Sequence, residues 1–316
     1  MKDSYKIALL LVATMLVALL FIGQGLNTSN YAYFLSRRVP KVLAIVVAAI
    51  AIGQSSLAFQ TITQNRILTP SIMGFDFLYQ FIQVMLVALF GGLTSFLVNV
   101  YWNFSLSAGV MLLFSFGLFS FYFRGGKGNL FTLLLLGVVI GQVFNNLSSF
   151  FVMLMDPNDF AAAQANFFAS FNNANVDLVY SVTPLLLVIS VVLFRYHRVL
   201  DVFWLERDNA TSLGVDVAKV TRNVLLISAL LISIATALVG PIMFFGLLMT
   251  NLTREWLRSY QHKYLLLGCS VMSAGSLLAG QWVIERWLNF ETTLSVVINF
   301  IGGLYFLTLL LRNKVV

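Results

Sequence analysis

Residues 37–74 read RRVPKVLAIVVAAIAIGQSSLAFQTITQNRILTPSIMG. Basic residues open the stretch, and a polar turn built on Gln60, Asn65 and Pro70 closes it ahead of Gly74. Between Lys41 and Phe59 the side chains are almost wholly apolar, and no further charge interrupts them. Nineteen residues at 1.5 Å each make roughly 30 Å of helix, the thickness of one hydrocarbon core. One segment therefore joins two opposite membrane faces, each with its own polar chemistry.

The rest of the chain reads the same way. Of 316 residues, 59% are hydrophobic and 10% charged, with a mean hydropathy of +0.90; soluble domains carry roughly 25% charged residues. The composition implies an all-α polytopic membrane protein, one transmembrane domain over residues 1–316. A β-barrel would instead show short alternating segments. The net charge of +7 is read as the excess of Lys and Arg on one membrane face, not as a nucleic-acid surface. The single cysteine, Cys269, excludes an internal disulfide and a thiolate metal cluster. Lys2 and Lys6 precede an apolar run to Ile22, but residues 24–27 offer no small-x-small cleavage site, so this run is expected to stay as the first span.

Ten spans are expected: Ile7–Ile22, Lys41–Ile62, Ile72–Leu89, Leu106–Phe123, Leu130–Met153, Leu178–Phe194, Asn223–Val239, Ile242–Leu252, Tyr264–Ile284 and Thr293–Leu311. Gly240-Pro241 precedes the short eighth span and predicts a break there, because proline removes a backbone donor and glycine relaxes the chain. With both termini in the cytoplasm, fifteen of the nineteen Lys and Arg fall inside, as the positive-inside rule requires. The other four, Arg37, Arg38, Lys41 and Arg286, cluster at the start of the second span and the end of the ninth. Two readings stay open for them: snorkelling of long basic side chains, or an electropositive dock for an acidic partner.

The longest outer loop, residues 156–177, is rich in Asn, Ala and Phe and has room for a short interfacial helix. The longest inner loop, residues 195–222, intersperses Leu200, Phe203, Trp204 and Leu213 with charges, a pattern for short amphipathic surface helices. It reads either as a solvated loop or as a docking element. Gly137 and Gly141 form a GxxxG pattern that permits close helix approach.

Catalytic chemistry is hard to find. His197 and His262 stand in no ligand spacing, no phosphate-cradling glycine loop occurs, and no cofactor or metal is expected. Asp76 is the exception to a nearly carboxylate-free set of spans. It is expected near the cytoplasmic interface; the alternative makes it the ion-coupling group of a self-contained secondary carrier or channel. An intramembrane enzyme lacks any paired acid, His cluster or nucleophile–base set. Uphill transport would then draw its energy from another subunit.

Taken together, these residues resemble the ferric-siderophore and cobalamin importer permeases of the FecCD/BtuC type. The similarity runs from Arg38 to Arg312. Arg38-Val39-Pro40-Lys41 resembles the family's R-x-P-R, and Gln60, Asn65, Pro70 and Gly74 keep the spacing of its Q-x4-N-P-L-x-x-P-x-x-x-G. Asp208, Ala210, Leu213 and Gly214 resemble its coupling segment. Gly240 to Arg254 resembles G-P-I-G-F-x-G-L-x-x-P-H-x-x-R, and Glu291, Gly302 and Phe306 follow its last motif. The sequence departs at Arg66 (usually Pro), Thr250-Asn251 (Pro-His), Gln281 (Asp) and Thr293 (Pro).

The resemblance implies a BtuC-like fold of about ten helices, with helices two to five and seven to ten as an inverted pseudo-repeat. It implies a permease subunit of a binding-protein-dependent ABC importer in the cytoplasmic membrane. The expected partners are a separate ATP-binding subunit, a second permease subunit (a heterodimer from the departures), an extracytoplasmic substrate-binding protein and ferric siderophore; cobalamin or haem is the alternative cargo. Arg38, Lys41 and Arg286 would dock the binding protein. Leu205, Glu206, Arg207, Asp208, Ala210, Leu213 and Gly214 would form the ATPase coupling segment, and Asn65, Pro70, Gly74, Gly240 and Pro241 the structural turns. Ser55, Ser56 and Gln60 are read as contributors to the translocation path, with helix packing as their alternative role.

Overall fold

The computed structural model describes residues 3–26, 31–91, 99–123, 130–164, 167–172, 174–205, 207–289 and 291–312. Every expected span has a helix at its position. In chain order these are α1 (Asp3–Gly23), α2 (Tyr31–Thr63), α3 (Phe75–Phe90), α4 (Val100–Phe123), α5 (Leu130–Leu154), α7 (Val176–Phe194), α10 (Val217–Val239), α11 (Phe245–Leu257), α12 (His262–Arg286) and α13 (Leu294–Arg312). Short helices fill the two long loops: α6 (Pro157–Gln164) in the first, and α8 (His197–Val202), a 3-10 turn (Phe203–Leu205) and α9 (Arg207–Ser212) in the second. Among the described residues, seven of the helices are long and apolar enough to cross a membrane; α3 and the apolar part of α13 are shorter.

Local chemistry sets the helix ends. Asn175 caps α7 by accepting from the Leu178 N–H at 3.0 Å, and Asp216 caps α10 by accepting from the Lys219 N–H at 3.0 Å. Each supplies an acceptor to an N-terminal donor that the helix leaves unpaired. Helix α2 runs through the centre and is buried along most of its length, flanked by α10, α12, α7 and α11. Helix α1 lies at the edge against α12, where Thr14 donates to the Val271 carbonyl at 3.3 Å, and Lys6 at its start donates to the Trp256 carbonyl at the end of α11 at 2.8 Å. Large apolar side chains such as Leu19, Leu113, Phe116, Phe150 and Val188 remain exposed on α1, α4, α5 and α7. An apolar exterior over helices whose backbone bonds are satisfied internally is what a hydrocarbon solvent demands.

The central helices α2 and α10 are each followed by a broken turn and a short helix, at opposite ends of the bundle. After α2 comes a 3-10 turn, Pro70–Met73, closed by Gly74 at φ +91°. A side chain on Gly74 would place its Cβ 2.6 Å from the Gly141 Cα. Gly137 of the same GxxxG pair meets the Met73 backbone. The pattern in α5 thus receives a turn, not another transmembrane helix. After α10 comes Gly240 at φ +90°, with its Cβ direction blocked 2.8 Å away by the Ala169 Cα; Ser170 N–H donates to the Val239 carbonyl at 2.9 Å. Pro241 follows, so α11 starts at Phe245 and not at Ile242.

Asp76 follows a turn packed on α5 and is fully buried.

Candidate functional site

Functional candidates gather at the two ends of the bundle. At one end, the α2 N-terminus carries Arg38, whose Nη1 donates to the Ile22 carbonyl at 2.9 Å and to the Gln24 carbonyl. These are carbonyls at the C-terminus of α1, the acceptors a helix leaves over, and a cation there also suits the helix dipole. The Arg38 guanidinium lies 4.7 Å from the Phe34 ring centroid and remains half-exposed. Lys41, one turn further in, pairs with Glu285 at 2.8 Å and donates to Asn172 Oδ1 at 2.7 Å. Gln281 Nε2 donates to the same two acceptors, at 2.9 Å to Glu285 and 3.1 Å to Asn172. The family's usual Asp at position 281 would set a second carboxylate against Glu285; the amide here is a donor instead. Arg286, next along α12, is exposed. Of the expected docking cations, Arg286 and Arg38 reach the surface while Lys41 is engaged within the chain.

At the opposite end, the loop between α7 and α10 is fastened to the bundle. Asp201 on α8 accepts from the His262 backbone N–H at 2.6 Å and stands 2.8 Å from His262 Nδ1. The other ring nitrogen, Nε2, is 2.9 Å from Thr61 Oγ1 on α2. Gln64 donates to the Phe203 carbonyl at 3.1 Å, and the Arg254 guanidinium sits 5.2 Å from the centroid of the Trp204 ring. Asp201 and His262 were invisible in the sequence because their contact bridges 61 positions and follows no motif.

The outer face of this segment is open: Trp204, Leu205 and Leu213 are exposed beside the polar Asn209, Thr211 and Ser212, while Ala210 is buried beneath. Helix α9 ends at Gly214, where the Val215 N–H reaches the Ala210 carbonyl at 3.1 Å, a Schellman closure. Arg207 and Asp208 lie on α9; Glu206 lies outside the described residues.

In the turn after α2, two departures from the family motif, Arg66 and Asn251, meet. The Arg66 carbonyl accepts from Gln60 Nε2 at 2.8 Å and from Asn251 Nδ2 at 3.1 Å. Asn65 Oδ1 accepts from the Ile67 N–H at 2.9 Å, an Asx turn.

In this conformation Ser55, Ser56 and Gln60 pack within the bundle. Their exposures are 0%, 1% and 1%, so none can touch a passing solute in this conformation. Ser55 donates to the Ile52 carbonyl at 3.0 Å, Ser56 packs against Gly246, and Gln60 holds the Arg66 turn. They close the interior of the single subunit. A path wall would need side chains left open in the isolated chain.

Among the described residues no group of three or more His, Cys, Asp or Glu could hold a metal ion. Among the described residues, the long apolar helices, the two broken turns and the structured segments in the two long loops are those of a multi-pass membrane protein. The family follows from the sequence itself: residues 5–312 match the FecCD transport family, and the chain belongs to it. It is 46% identical over 314 residues to the petrobactin import system permease protein YclO of Bacillus subtilis, covering 99% of both chains. It is 32% identical to the petrobactin import system permease protein FatC of Bacillus anthracis, over 92% of this chain and 82% of that one. A solved inward-facing metal-chelate type ABC transporter chain superposes with a TM-score of 0.83 at 22% identity, over 99% of this chain and 100% of that one, which shows the common fold.

Proposed function

We propose that this chain is the permease subunit of an ABC importer that carries a ferric siderophore inward across the cytoplasmic membrane. It has no enzymatic activity of its own. A separate ATPase binds at the end bearing Trp204, a second permease subunit completes the central path, and a substrate-binding protein docks at the end bearing Arg38 and Arg286. Both termini are cytoplasmic in this reading. The observation that carries it is the segment at Asp201–Gly214. Its outer face exposes the large apolar side chains Trp204, Leu205 and Leu213, and its inner face is fastened to α2 and α12 through Asp201, His262 and Thr61. A short rigid element held this way passes a rigid-body movement of a docked motor to the bundle. The relatives named for petrobactin import support a siderophore as cargo.

Co-purification from native membranes tests the assembly. An ATPase and a second permease are expected to accompany the tagged chain; their absence under mild detergent and crosslinking would overturn the reading. Arg38→Glu should lower stimulation by the binding protein with the ATPase still bound.

Buried Asp76 keeps the self-contained carrier as a second reading. Uptake that needs no ATPase and is abolished by Asp76→Asn would favour it. ATPase-dependent uptake that survives Asp76→Asn removes it.

A further inference from the structure

Beside the Trp204 segment the bundle holds a cavity of about 690 Å³. Three guanidinium groups line it, from Arg66, Arg254 and Arg258, together with Trp204, Tyr260 and Asn251. Glu255 is the only carboxylate on its lining among the described residues. None of the three arginines has an ion-pair partner among the described residues. Arg254 is the most constrained: its Nη2 makes one long contact to Thr61 Oγ1 at 3.4 Å, and its buried Nε has no acceptor. A smaller space of about 190 Å³, lined by Gln60 and Gln64, shares Arg66, Trp204 and Arg254 with it.

Like charges converging on a half-enclosed wall repel one another, and the repulsion is relieved only by a counter-charge. Guanidinium groups offer planar forks that match carboxylate and phosphate oxygens. The volume falls in the range of small-molecule sites, roughly 300–1,000 Å³, and exceeds what a single phosphate fills. We infer that this cavity binds a multiply anionic, oxygen-rich ligand, and that it receives the ferric chelate where the chelate leaves the membrane. The identity of the ligand rests on the importer reading above; the existence of an anion site does not. The same oxygen chemistry belongs to an anionic phospholipid headgroup, so the experiment separates the two sources.

The test uses the full chain in nanodiscs of zwitterionic lipid, with ferric citrate as the probe and calorimetry as the readout. Saturable binding that weakens with added salt is expected. Arg66→Gln and Arg258→Gln, both at exposed positions, should each weaken it about tenfold, and Arg66→Lys should recover part of the loss. Thermal unfolding of each variant checks that the fold is intact. No binding by the wild-type chain, or equal binding by the double variant, overturns the site. Doping the nanodiscs with phosphatidylglycerol should leave the affinity unchanged. If the lipid instead displaces the probe, and does so through the same arginines, the chelate role is overturned in favour of a headgroup. Uptake measured in parallel keeps the two readings apart. ATPase-dependent uptake without ferric citrate binding sinks the cavity proposal alone. Binding without ATPase-dependent uptake sinks the importer reading and leaves the anion site standing.

Discussion

Replacing Gly74 by alanine tests the packing of the turn after α2 against α5. Two costs arise from the structure. The backbone at φ +91° lies in the left-handed region, which penalises a side chain by roughly 1–2 kcal/mol. The new Cβ would also stand 2.6 Å from the Gly141 Cα and 3.0 Å from its nitrogen. Both neighbours are backbone, so the turn and α5 must separate, an overpacking cost of about 1–3 kcal/mol. Together Gly74→Ala should destabilise the fold by about 2–5 kcal/mol, enough to lower the membrane level several-fold. Gly141→Ala meets the same contact from the other side, 2.7 Å from the Gly74 Cα. Once one substitution has pushed the surfaces apart the second meets less resistance, so the double variant should cost less than the two singles added. Unfolding in mild detergent with all three variants measures this. A Gly74→Ala protein within about 0.5 kcal/mol of wild type, or strict additivity, would refute the contact as described.

Other perturbations probe the two ends and the core. Lys41→Met strands the half-buried Glu285 carboxylate and should cost about 1–3 kcal/mol; Lys41→Met with Glu285→Gln should restore most of that in the same unfolding assay. Asp201→Ala leaves the His262 backbone N–H without its acceptor, at about 1–3 kcal/mol, and should lower stimulation of the ATPase by binding protein, while Asp201→Asn keeps an acceptor oxygen and should lose less of both. Gly246→Ala drives a Cβ into the Ser56 side chain, and Ser56→Ala should rescue it only in part, because the Ser56 Cβ itself is 2.8 Å from the new atom.

The helices were legible because lipid imposes long apolar runs, and the sequence shows where those runs are. Their ends were less so. Charges mark where hydrocarbon stops, yet a helix continues into the interface wherever caps and packing support it. Thus α2 begins at Tyr31 and passes through Arg37, Arg38 and Pro40, while α10 begins at Val217 and includes Lys219 and Arg222. Pro70 and Gly74 declared a turn, but not that Gly137 and Gly141 would be its seat; spacing announces a small-residue surface and not its partner. For Ser55, Ser56 and Gln60 the sequence leaves path and packing both open, because polarity on a central helix looks the same whether it faces a path or another helix. The engagement of Lys41 with Asn172 and Glu285 is not legible in the sequence because these partners lie 131 and 244 residues away. The His262–Asp201 contact failed to register for the same reason.

Helices α2 and α12 touch one another through polar groups at both ends. Lys41 and Glu285 meet at one extremity, Thr61 and His262 at the other, and midway Gly53 admits the Ser273 hydroxyl where a methyl would stand 2.5 Å from it. Two rods bolted at head, waist and foot cannot slide past each other like a piston. They behave as a plank. A pull on Asp201 therefore moves the plank as one body, and a tilt about any point between foot and head swings the head, with Arg38 and Arg286 on it, the opposite way.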